Sequence, residues 1–323
     1  MLKKSFENHL REIIKKDLNV KVKSNSKIYD YEEWDSVGNF NILLSCEKYF
    51  KLEFTPKEFN SLNSFKEILK IVKKRNRSRK KISILLKKLK IEHGSNVLLH
   101  SNSAGIYQFS KNKKYLEIFI KKLIKRIGNN GTLVIPTYNY DFTKKVTFDK
   151  IKSPSQVGNL SNYLLRKYHS KRTSDPIFSH LIFGKLFKIL SNCDNSEVFG
   201  DKSIFSKFLN YNFKIVCFCC PLNKMTFLHF IEKKMEVKYR FNKYFLGKIK
   251  LKNKSKLLKI KYYVGKRSID YKLKNKNLLK LVKGKKFLSV NFGRFLCYSV
   301  DTKYLYNSLI KYLKKDKFFL IRK

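Results

Sequence analysis

Apolar residues recur at helical spacing in the first quarter of the chain and then give way to short apolar runs alternating with amphipathic stretches. A helix from Leu2 to about Leu18 opens the sequence. Asp35 can cap a second helix starting at Ser36, with Val37, Phe40 and Leu44 predicted as its inward stripe. Phe50 and Phe54 flank the exit, and Thr55-Pro56-Lys57-Glu58 reads as the start of a short third helix. A fourth follows Leu62 and Ser64, with Phe65, Ile68, Leu69 and Val72 apolar. The run KKRNRSRKK, Lys73 to Lys81, holds no apolar residue and reads as a solvated basic linker. Ile82, Leu85, Leu86 and Leu89 then begin an amphipathic helix that Gly94 ends. Asn96–His100, Tyr115–Ile127 and Thr132–Pro136 alternate as strand, helix and strand, the pattern of a layered α/β domain.

Farther on, Ile215 to Cys220 is long enough for one buried strand. Pro221 and Asn223 break it, and a helix follows with Leu228, Ile231 and Met235 at i, i+3 and i+7. His229 and Glu232 sit three apart beside that stripe, on neighbouring positions of one face. Strand, tight turn, and a helix carrying an imidazole and a carboxylate form a common α/β active-site layout. By spacing alone, the plainer reading is a surface helix decorated with two polar residues. The expected fold is therefore α + α/β: a four-helix bundle over residues 1–75, a linker over 76–81, and a layered α/β domain over 82–323.

Composition changes this picture little. The net charge of +49 invites a nucleic-acid reading. However, the chain has one alanine, Ala104, and is rich in Lys, Asn, Ile, Phe and Tyr, residues with AT-rich codons, so genome composition accounts for much of the lysine. No run approaches the roughly 20 apolar residues of a membrane span, and MLKKSFENHL lacks a signal-peptide core, so the expectation is a soluble cytoplasmic protein. Six cysteines in a chain of this size do not make a disulfide framework. Cys217, Cys219 and Cys220 match no zinc spacing and read as core packing, with no metal expected. The acids are uneven: between Asp30 and Glu67 eight stand against four lysines, a patch suited to meet a basic surface.

Within that patch Asp35-Ser36 and a following apolar residue, then Glu47, Phe50, Phe54-Thr55-Pro56 and Leu62-x-Ser64, occur in an order that resembles an acyl carrier protein over its whole length. The resemblance implies that Ser36 carries 4′-phosphopantetheine, attached by a phosphopantetheinyl transferase and charged by an acyl-loading enzyme. The competing reading is an unmodified bundle that serves only for docking.

The rest of the chain resembles the aminoglycoside 3-N-acetyltransferase family. Thr226, His229, Glu232, Tyr239, Arg240, Lys243 and Phe245 match its Thr-x-x-His-x-x-Glu helix and the Tyr-Arg and Lys-x-Phe that follow. VLLHSNSAG (Val97 to Gly105) is similar to its Val-His-Ser-Ser loop, and GTLVIPTYNYDF (Gly131 to Phe142) to its Gly-Thr-Leu-Val-x-Pro-Thr strand. Phe148, Asp149, Pro154, Ser155 and Gly158, then Phe199, Gly200 and Ser203, continue the series. One segment departs. Where the family commonly has His-Pro-x-His-Ser, this chain has Asp175-Pro176-Ile177-Phe178-Ser179, and His180, displaced by one, would face the other way on an extended strand. His180 is read as structural, and the departure bears on the substrate more than on the reaction.

The resemblance implies an N-acyltransferase that takes acetyl-CoA, another acyl-CoA or the loaded carrier as donor, and an amino sugar or nucleotide-sugar as acceptor. His229 and Glu232 are the expected base and orienting carboxylate, with Asp175 as an alternative base. His100, Ser101, Asn102 and Ser103 would meet the donor, and Tyr138, Tyr239, Arg240 and Lys243 the acceptor. A basic nucleic-acid-binding protein and an inactive docking protein are the other readings. Neither explains the ordered motifs as well.

Overall fold

The computed structural model describes residues 5–50, 52–108, 114–251, 254–282 and 286–321. The chain divides into two compact units, Met1–Ser83 and Ile84–Lys323.

In the first unit α1 (Phe6–Leu18) is capped by Ser5, whose hydroxyl accepts from Asn8 N–H, and it closes on Asn19 in the left-handed region; Leu2 lies outside the described residues. Helix α2 (Ser36–Phe50) begins where Asp35 Oδ1 accepts the Gly38 N–H at 2.7 Å. A reciprocal capping box between Thr55 and Glu58 starts α3 (Pro56–Ser61), as its sequence predicts. Leu10, Ile14, Trp34, Ile42, Leu43, Phe65, Ile68 and Val72 form the unit's core.

One expectation fails here. Val37, Phe40 and Leu44 are 66, 49 and 43 % exposed, and the inward positions of α2 are instead Gly38, Asn39, Ile42, Leu43, Cys46 and Phe50. Both sets have helical spacing, so the apolar pattern of this helix fits two faces and packing chooses between them. The basic run Lys73–Lys81, read from sequence as a solvated linker, is helical. It lies inside one continuous helix, α4 (Phe65–Lys88), because Lys and Arg are good helix formers and nothing in the run breaks the backbone ladder.

The second unit is built on a six-stranded sheet in the order β4-β2-β1-β5-β9-β8. Its parallel centre is β1 (Asn96–Ser101), β2 (Thr132–Pro136) and β5 (Lys214–Phe218). The antiparallel β4 (His180–Gly184) joins β2, and β9 (Phe295–Asp301) and β8 (Phe287–Phe292) extend the other edge.

The central strands are apolar on both faces because both are covered. Ile215 and Cys217 point into a core shared with α9 (Ile204–Asn210), α10 (Phe227–Lys234) and α12 (Thr302–Lys315). On the opposite face, Phe218 meets Phe119 of α6 (Lys114–Ile127) at 4.3 Å between ring centres. A long hairpin of β6 (Arg240–Leu251) and β7 (Lys254–Gly265), with the two-residue β3 (Phe148–Asp149), makes a second sheet. The cysteines of the described residues are free and, Cys193 apart, buried. No described helix is long and apolar enough to cross a membrane.

Candidate active site

Strand β1 has β2 on one side and β5 on the other. The crevice beyond the carboxyl ends of parallel strands at such a point is where open α/β sheets bind ligands. A cavity of about 690 Å³ lies there, lined by Ser101 to Ala104 at the end of β1, Tyr138 and Tyr140 after β2, and Cys220, Pro221, Asn223, Lys224, Thr226 and His229 after β5. The β5 exit turns sharply. Cys219 takes φ +56°, and Gly105 packs so close to it that an added Cβ would stand 2.7 Å from Cys219 Cβ.

His229 lines the cavity, and Glu232 one turn later is fully buried behind it. Glu232 Oε2 lies 2.6 Å from His229 Nδ1 and 2.8 Å from Arg240 Nε, and Oε1 accepts from Tyr239 OH at 2.8 Å. Arg240 Nη2 is also 3.0 Å from Nδ1, but two donors cannot share one proton position. The shorter contact to an anion places the proton on Nδ1, so Arg240 acts as an ion partner of the carboxylate. Nε2 is then the ring atom with a free lone pair. Burial and the Arg240 charge push the His229 pKa down, with Glu232 partly opposing them. Burial works against a charge on Glu232, yet His229, Arg240 and Tyr239 together hold its carboxyl below the usual range. The surface-decoration reading of this helix fails, since a carboxylate with no exposure and three partners belongs to a built site.

Opposite stand His100 and Ser103. His100 is buried, which pushes its pKa down to about 4 and leaves it neutral. Among the described residues, His100 Nε2 and Ser103 Oγ have no hydrogen-bond partner. Two such buried polar atoms at a cavity wall call for a ligand to satisfy them. Asn102 differs, since its Oδ1 already accepts the Ala104 N–H.

The remaining expected residues divide. Tyr138 lines the cavity, and its hydroxyl lies 3.2 Å from His180 Nε2. His180 is fully buried and structural in its contacts. Asp175 does not reach the cavity. Its Oδ1 accepts the N–H groups of Ile177 and Phe178 at 2.8 and 2.7 Å, so it fastens a buried turn, with burial raising its pKa to about 6. Phe178 fills an aromatic core with Tyr138, Phe199 and Tyr262. Tyr239 and Arg240 also stand behind Glu232 rather than on the cavity, and exposed Lys243 lies over the Phe245 ring, off the cavity wall. Sequence reasoning overlooked Tyr140 and Gln156, which line the cavity from loops, Asn159 from the first turn of a helix, and Asn223 and Lys224 from a 3-10 turn after β5. No local pattern marks them, because such residues converge only through the fold. In the first unit Ser36 is exposed, and its hydroxyl is 2.8 Å from Tyr29 OH.

The sequence matches the family model of aminoglycoside 3-N-acetyltransferase over residues 98–314, about two thirds of the chain. The chain belongs to that family. It is accordingly an N-acyltransferase of the aminoglycoside acetyltransferase type, and the cavity, with its His-Glu pair, lies within the matched span.

Solved structures repeat the fold at low identity. The YokD protein from Bacillus subtilis is 15 % identical, with TM-score 0.61, covering 74 % of this chain and 93 % of its own. AAC-IIIb, solved with CoASH, is 15 % identical with TM-score 0.63, covering 73 and 96 %. AAC-VIa, solved bound to sisomicin, is 13 % identical with TM-score 0.61, covering 73 and 97 %. A search of curated proteins returned no match. Residues 1–97 lie outside the family match.

Proposed function

We propose that this family member moves an acetyl or other short acyl group from a phosphopantetheine thioester to the amino group of an amino sugar, in aminoglycoside modification or surface-glycan biosynthesis. The His229–Glu232 pair at the cavity wall carries the reading. A neutral amine attacks the thioester carbonyl, His229 Nε2 takes the proton the amine loses, and the thiol departs carrying a proton. Glu232 holds the ring and stabilises the imidazolium. The Thr226 hydroxyl, spared from capping α10, is a candidate donor to the developing oxyanion.

Acetyl-CoA or another acyl-CoA fits the unpartnered His100 Nε2 and Ser103 Oγ as acceptors of its amide and hydroxyl groups, and the CoASH complex of AAC-IIIb supports that donor. The carrier supplies the same chemical handle. Ser36 is exposed at the start of α2, beside the uncovered Val37, Phe40 and Leu44, an arrangement open to a modifying enzyme. A phosphopantetheine attached there would supply the thiol that holds an acyl group as a thioester. Tethering to the second unit would keep that thioester at high local concentration.

Two measurements test this. Incubation with coenzyme A and a broad-specificity phosphopantetheinyl transferase should add one phosphopantetheine to the intact mass, and Ser36→Ala should stay unmodified; an unchanged wild-type mass would leave residues 1–75 as a docking module. Secondly, kcat/KM should fall once as the free amine protonates, and the further break that His229 adds should lie below the ordinary histidine value of about 6.5, because His229 is depressed and must be neutral to act. A further break at or above that value that His229→Ala removes would mean that the imidazole is not depressed in the free enzyme.

A further inference from the structure

We infer, on the footing of that N-acyl transfer, that the acceptor is a sugar with a single amino group and an uncharged or anionic remainder, and that polycationic aminoglycosides are poor substrates. A multi-amino substrate presents one neutral amine to the base while its other amines stay protonated. Those ammonium groups need carboxylates or a negative field. The second unit provides neither. Residues 84–323 hold 53 Lys and Arg against 13 Asp and Glu. All 13 acids lie among the described residues, and none lines the cavity.

Six of them are committed elsewhere. Glu117, Glu197 and Asp301 pair with lysines. Asp149 and Asp175 accept backbone N–H groups in turns. Glu232, the acid nearest the chemistry, is already neutralised by Arg240. Among the described residues, the one charged side chain on the cavity wall besides titratable His is Lys224, a cation.

What the wall offers instead suits a neutral sugar. Tyr107, Tyr138 and Tyr140 present aromatic surface. Asn223 Oδ1 is buried without a partner among the described residues, a neutral acceptor that a sugar hydroxyl can satisfy but that cannot neutralise an ammonium charge. Lys224 can meet a phosphate on such a sugar as a point charge.

The test uses the full-length protein with acetyl-CoA, reading thiol release and, separately, calorimetric binding at physiological salt. The probes are glucosamine, a nucleoside-diphosphate-linked amino sugar, and sisomicin. The mono-amino acceptors should exceed sisomicin in kcat/KM by at least tenfold, and Lys224→Ala should raise KM for the phosphorylated one alone. Gln156→Glu keeps the acceptor oxygen that takes the Tyr140 N–H and adds a carboxylate to the wall, so it should shift the ratio several-fold toward sisomicin. Sisomicin turned over as well as the mono-amino sugars would overturn the inference. Thiol release from no amine would instead remove the proposed reaction, and binding would then decide: sisomicin held more tightly than either mono-amino sugar overturns the charge argument, and the reverse order supports it.

Discussion

Replacing His229 with alanine should lower turnover about 10²-fold or more, the usual worth of a positioned general base. The imidazole is the one group on the cavity wall with a buried carboxylate fixed behind it, 2.6 Å from Nδ1. Without Nε2 the attacking amine must lose its proton to water. The side chain is partly exposed and leaves a hole at the cavity wall rather than in the core, so the melting temperature should change little. Unchanged thiol release in this variant, at saturating donor and acceptor, would remove His229 from the mechanism.

Glu232→Ala should act on stability as much as on rate. It strips the buried Arg240 guanidinium of its counter-ion and the Tyr239 hydroxyl of its acceptor. Breaking a buried ion pair from one side costs about 3–5 kcal/mol, which for a domain of this size is a fall in Tm on the order of 10 °C. Because the folded-state pKa of Glu232 lies below its unfolded value, its contribution is present above the ordinary carboxylate range and is lost as pH falls through the folded value. Glu232→Gln should therefore lose that part of the acid sensitivity. A double variant, Glu232→Gln with Arg240→Met, should recover stability but not activity, since no buried charge is left while the ring of His229 has lost its anion. A Tm for Glu232→Ala within about 2 °C of wild type would show that the carboxylate is not the keystone of this cluster.

Much of this site was legible in local sequence, and particular residues show where that stopped. Thr226, His229 and Glu232 share a helix one turn deep, so their mutual geometry follows from α-helical spacing alone. GTLVIPT is a strand because both its faces are apolar, whatever lies beyond it. The capping box at Thr55 and Glu58 is likewise a matter of three residues' spacing.

The misreadings share a physical cause. Val37, Phe40 and Leu44 have the spacing of a buried stripe, but Ile42, Leu43 and Cys46 have it too, and only packing against the other helices of that unit decides which face is wet. Asp175 has the chemistry of a base; its location within a turn, with Oδ1 taken by two backbone N–H groups, is set by how the chain enters β4. The resemblance puts Tyr239 and Arg240 on the acceptor, whereas the fold turns them onto the far side of Glu232. The sequence by itself determined the family, the strand–turn–helix that carries the His-Glu pair and the candidate attachment serine, all of them properties of neighbours along the chain. Tertiary structure alone decided which of the candidate side chains meet at the cavity, and that no carboxylate stands on its wall, since convergence of loops distant in sequence depends on the sheet that holds them.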